Sequence, residues 1–163
     1  MKTNNLFFLT SAVLMMLLAV SCRPKNAGTA IKGDTNVKSY VPPGQYDEFY
    51  NFVSGGFSGQ MSVYGLPSGR LFRVIPVFSV DPEKGWGYSE ETKPMLNTSH
   101  GFVPWDDLHH PELSQTNGEI DGKWCFGNAN NTPRLARIDL KTFRTAEIIE
   151  LPNSGGNHSS PFG

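Results

Sequence analysis

Apolar positions divide this chain into three regimes. Residues 6–20 form one nearly continuous apolar run of 15 residues, residues 23–45 are poor in large apolar side chains, and from residue 46 short apolar runs alternate with turn-forming residues. In the third regime, Tyr46-Asp47-Glu48-Phe49-Tyr50-Asn51-Phe52-Val53 places large side chains three and four apart and predicts one short helix over 46–53. Beyond it, β-type runs cover 61–64, 71–78, 124–126, 134–140 and 145–151, with Gly65-Leu66-Pro67-Ser68-Gly69 marking the first turn. In the run 134–140, Ala136, Ile138 and Leu140 share one face and Arg137 and Asp139 the other, the period of two of a half-buried strand. Short, evenly spaced antiparallel strands predict an all-β fold: a sandwich, a barrel or a propeller.

The first regime is too short for a spanning helix, which needs ~20 residues, and after Met1-Lys2 it reads as a signal-peptide core over 1–21. It closes on Leu18-Ala19-Val20-Ser21-Cys22, which resembles a bacterial lipobox and makes Cys22 the lipidated first residue of the mature chain. No Arg-Arg pair precedes the run, so Sec export is favoured over a twin-arginine route. Residues 22–45, punctuated by Val41-Pro42-Pro43-Gly44, then act as a flexible tether from a lipid anchor, and the rest works in the periplasm. With Cys22 lipidated, Cys125 has no disulfide partner among the two cysteines and reads as a small buried hydrophobe. The net charge of −1, with basic residues scattered, gives no footprint for nucleic acid. The stop at Gly163, directly after an informative histidine and without a closing strand, reads as the amino-terminal part of a longer protein.

Candidate chemistry sits in the histidines. Of four in the chain, His109 and His110 are adjacent in Asp106-Asp107-Leu108-His109-His110-Pro111, and His158 lies in Gly155-Gly156-Asn157-His158-Ser159. Neutral imidazole is the commonest protein ligand for transition metals. Neighbours on a regular strand point to opposite faces and cannot converge without a bend. A loop at a strand end, with Pro111 holding His110 extended, lets both rings reach one metal cluster. The plain alternative is a pair of solvated loop histidines. His100 has no comparable partner and reads as structural or exposed. A zinc-hydrolase set of His110, Glu112 and His158 lacks the usual helical spacing and a general base. Asp107, two residues before the pair, is either a group that orients an imidazole or an Asx-turn residue.

Several tracts in order resemble the nitrous-oxide reductase family. They are Asp107-Leu108-His109-His110-Pro111, Ser114-Gln115-Thr116-Asn117-Gly118, Asp121-Gly122-Lys123-Trp124, Asn130-Asn131-Thr132-Pro133-Arg134-Leu135-Ala136-Arg137-Ile138-Asp139-Leu140 and Asn157-His158. Upstream, Ser54-Gly55-Gly56, Gly65-Leu66-Pro67-Ser68, Ile75-Pro76-Val77-Phe78 and Gly85-Trp86-Gly87 also fit, so the likeness covers residues 46–163. The leader resembles that of the Sec-dependent, clade II branch, while Phe57 and Cys125 depart from many relatives at positions that are not ligands. The resemblance implies the first blades of a seven-bladed β-propeller. It makes His109, His110 and His158 three of seven imidazoles around a four-copper, sulfide-bridged cluster, with Asp107 beside them. It further implies a copper A centre and calcium elsewhere in a full-length homodimer, and reduction of N2O to N2 and water with electrons from a c-type cytochrome. The rival from another class is a non-catalytic periplasmic lipoprotein propeller that only binds a ligand or partner.

Overall fold

The computed structural model describes residues 38–155. The expected signal peptide (1–21), the expected lipidation residue Cys22, most of the expected tether and His158 lie outside the described residues. Among the described residues no helix is long and apolar enough to cross a membrane.

The fold is all-β. Strands β1 (Phe49–Ser54), β2 (Gln60–Leu66) and β3 (Leu71–Pro76) form a three-stranded antiparallel sheet in chain order. A 3-10 turn (Lys93–Leu96) leads to the short ribbon β4 (Asn97–Thr98) and β5 (Gly101–Phe102). A four-stranded antiparallel meander follows: β6 (Leu108–Thr116), β7 (Glu119–Ala129), β8 (Arg134–Asp139) and β9 (Arg144–Glu150). Its first hairpin turns on Asn117 and Gly118, whose φ values of 55° and 81° are the paired positive dihedrals that a two-residue hairpin demands.

Period-two burial selects the inner faces. Met61 and Val63 of β2 and Ala136 and Ile138 of β8 are fully buried, with partly exposed residues between them. These side chains meet Ile75, Val77, Phe78, Leu108, Cys125 and Ala129 in one core shared by both larger sheets. Cys125 is buried with its Sγ 3.7 Å from Met61 Sδ, and burial pushes its thiol up to about 12. The hydrophobe role expected for it matches this environment.

The helix expected over 46–53 is not formed. Phe49–Ser54 is strand β1, paired with β2 from Phe49↔Leu66 to Ser54↔Met61. Aromatic and β-branched residues suit a pleated, half-buried surface. Here Tyr50 and Phe52 pack against the core while Phe49, Asn51 and Val53 face outward, so tertiary pairing overrides the helical spacing.

Candidate metal centre

Leu108, the first residue of β6, is anchored on both sides. Its N–H donates to Gly56 O (3.0 Å), and Asn130 N–H donates to the carbonyl of the preceding Asp107 (2.9 Å). The turn 54–60 that supplies Gly56 is pinned by Val77 and Phe78, whose N–H groups both donate to Gly59 O at 3.1 and 2.8 Å. Gly59 must be glycine: its φ is +64°, and a Cβ there would stand 2.0 Å from Phe78 O.

The histidines lie at the start of β6 rather than in a loop. The bend that a strand needs is present as a β-bulge. The register passes from His109↔Asn128 to Glu112↔Phe126, so His110 and Pro111 together oppose Gly127 alone. Pro111 has no N–H to give to a ladder, which suits a bulge position. The expectation that Pro111 holds His110 extended is wrong: His110 has φ +44°, in the left-handed region. A non-glycine residue there, directly before a proline, is strained, and such strain is held only where the surroundings enforce it. The outcome is convergence. The His109 and His110 rings stand 5.6 Å apart between centroids at an interplanar angle of 72°.

Asp107 is buried, and its Oδ2 lies 2.9 Å from His109 Nε2. An ionised Asp107 carboxylate at this distance favours the tautomer with the proton on Nε2. Asp107 Oδ1 is buried without a hydrogen-bond partner among the described residues. The carboxylate that holds the backbone here is that of the neighbouring Asp106. Asp106 Oδ1 accepts from the N–H groups of Asp107 (2.7 Å) and Asn131 (3.0 Å) and from Asn131 Nδ2 (2.9 Å). Asp106 Oδ2 accepts from Thr132 Oγ1 (2.5 Å) and Arg134 Nη2 (3.3 Å).

Arg134 is fully buried, donating also to Val103 O (2.9 Å) and Thr132 Oγ1 (2.7 Å), with its guanidinium 5.1 Å from the Phe78 ring centre. Burial would raise the Asp106 carboxyl, but the hydrogen bonds from Thr132, Asn131 and Asp107 outweigh it and hold Asp106 below its ordinary value. This clamp was not assigned a role from sequence. Its signal was the tract Asn130-Asn131-Thr132-Pro133-Arg134, which carries the polar partners of one buried carboxylate.

His100 stands apart from the pair, exposed in the turn between β4 and β5, with its N–H on Thr98 Oγ1 (3.1 Å). Among the described residues no three His, Cys, Asp or Glu side chains are grouped to hold a metal. The candidate ligands among the described residues are His109 and His110, with Asp107 beside His109.

No protein-family model matches the chain. Curated relatives do. The nitrous-oxide reductase of Pseudomonas fluorescens is 39% identical over 134 residues, covering 82% of this chain and 21% of that protein. The nitrous-oxide reductase of Stutzerimonas stutzeri is 39% identical over 125 residues, covering 77% of the chain and 19% of that protein. The chain belongs to the nitrous-oxide reductase family. The nitrous-oxide reductase of Ralstonia nicotianae extends the match to 93% of the chain at 35% identity, over 26% of its own length. The chain thus spans about a fifth to a quarter of the length of these nitrous-oxide reductases.

Proposed function

We propose that this chain carries part of the copper site of a nitrous-oxide reductase, with His109, His110 and His158 as ligands and Asp107 as the group that orients His109. The observation that carries the proposal is the bulge at His110-Pro111, which turns two sequence neighbours into two converging imidazoles, one of them braced by a buried carboxylate. The donor set fits copper in kind, because imidazole serves this metal well and adds no charge of its own. The orphaned Asp107 Oδ1 fits too, since a buried acceptor without a donor marks a place where the surroundings are incomplete.

When bound, the copper supplies the two-electron reduction N2O + 2 e⁻ + 2 H⁺ → N2 + H2O. The chain's own residues hold and orient. Asp107 fixes the His109 tautomer, His110 is held by its constrained backbone, and Leu108 and Gly127 pack beneath the bulge. In this reading the two larger sheets belong to the first blades of a β-propeller whose other blades bring the remaining ligands. The same reading includes Sec export to the periplasm and a lipid anchor at Cys22, supported by the apolar run 6–20 and the tract Leu18-Ala19-Val20-Ser21-Cys22. A c-type cytochrome supplies electrons to a homodimer of the full-length enzyme, which carries the copper A centre.

The test is anaerobic titration of the chain with Cu(I) against a colorimetric chelator, with X-ray absorption to identify the ligands. Saturable binding with nitrogen scatterers is expected, and the double substitution His109→Ala/His110→Ala should abolish it. Undiminished binding by that variant would overturn the assignment.

A further inference from the structure

A second site shares no residue with the histidine pair. Between β3, the 84–95 segment and the turn from β8 into β9 lies a cleft of about 270 Å³, partly closed from solvent. Its wall is apolar where Val74, Trp86, Met95 and Phe143 meet, and its rim carries Arg73, Lys84 and Arg144 against the single carboxylate of Glu91.

Most polar groups of this cleft are already matched within the fold. Lys84 Nζ is bound to Asp81 Oδ2 (2.7 Å) and Val74 O (3.2 Å), which neutralises its charge. Thr142 Oγ1 donates to Asp139 Oδ2 (2.8 Å), Thr145 Oγ1 to Pro76 O (2.8 Å) and Thr92 Oγ1 to Gly85 O (3.1 Å). Three donors are not matched. The side chains of Arg73 and Arg144 form no ion pair or hydrogen bond among the described residues. Trp86, only 6% exposed, has an Nε1–H without an acceptor among the described residues. A buried donor without a partner is costly, which applies to Trp86, while Arg73 and Arg144 are exposed cations that outnumber the one unpaired rim carboxylate, Glu91.

We propose that this cleft is a binding site for a small amphipathic carboxylate, a ligand with an aromatic or compact aliphatic body and one anionic head. The head accepts from the Arg73 and Arg144 guanidiniums, which match a carboxylate in planar geometry. The body packs on the Trp86, Met95 and Phe143 wall, and a cleft of about 270 Å³ holds a ligand of that size but not one of cofactor size. Glu91 on the rim disfavours a second negative charge, which sets the preference at a monoanion.

The test is calorimetric titration of the full chain with benzoate, benzamide and sulfate, read in parallel by tryptophan fluorescence. Saturable 1:1 binding of benzoate is expected, at least tenfold tighter than that of benzamide or sulfate. The double variant Arg73→Gln/Arg144→Gln should weaken benzoate at least tenfold with an unchanged melting temperature, since both residues are exposed. Equal binding of benzamide would make the cleft merely apolar, and equal binding of sulfate would make it a plain anion patch. Absence of saturation, or full affinity in the double variant, would also overturn the proposal.

Discussion

Two adjacent aspartates of one residue type divide into different work at the scale of single residues. Asp106 accepts from four residues and organises the backbone beneath the site, while Asp107 faces the imidazole. Asp107→Asn keeps the shape but replaces an anionic acceptor by an amide, weakening its hold on the His109 Nε2 proton. Cu(I) affinity measured by chelator competition should fall about 10–100-fold, the usual effect of removing an orienting group behind a histidine ligand, while the melting temperature stays nearly constant. An unchanged affinity would leave Asp107 a structural residue. Asp106 predicts a pH effect of definite sign. Its folded-state value lies below the ordinary 3.8, so the stability it contributes is fully present above that ordinary value. That contribution is lost as pH falls through the lower folded value. Melting temperatures recorded between pH 2 and 6 should drop steeply at the acid end for the native chain. In Asp106→Asn the drop should be shallower, from a lower plateau.

Elements were legible where burial alternates and obscure where the chain breaks that rule. The run 134–140 announces itself because Ala136 and Ile138 are buried while Arg137 is not, and β8 (Arg134–Asp139) fills almost that span. Residues 46–53 mislead because large side chains three and four apart fit a helix, yet pairing of β1 with β2 decides the matter. The bulge was half visible. Pro111 marks an interruption, but His110 turns to φ +44° opposite Gly127 across the ladder, a pairing that no local pattern in β6 reveals. A Cβ at Gly127 would stand 2.7 Å from Leu108 Cδ1, beneath the segment that carries both histidines. Gly127→Ala should therefore destabilise the fold by about 1–3 kcal/mol, as overpacking in a filled core does. Gly155→Ala, with open space around it, should change nothing. Urea unfolding of both variants measures the difference, and equal midpoints would mean that Leu108 yields freely and the bulge does not depend on that contact.

For the whole molecule, the count of ligands limits what the chain can do. A copper cluster ringed by seven imidazoles, as the family resemblance implies, cannot be completed by a chain with four histidines, one of which stands apart in the β4–β5 turn. Two converging imidazoles, or three with His158, suffice to hold one copper ion by nitrogen donors. In the proposed reading, holding the several metals that would bind N2O together takes further ligands from the rest of the full-length protein. A site shared among blades, as proposed, suits this architecture, because a short antiparallel sheet brings only a few side chains to any one edge. The proposed function therefore predicts that the 163-residue chain, loaded anaerobically with Cu(I) and sulfide, binds about one copper per chain through its imidazoles. Given reduced viologen as donor, it should not consume N2O. Elemental analysis after gel filtration gives the first quantity and headspace gas chromatography the second. Sustained N2O loss dependent on His109 and His110 would show that the sheets described here assemble a competent centre by themselves. The division of ligands among blades would then have to be abandoned.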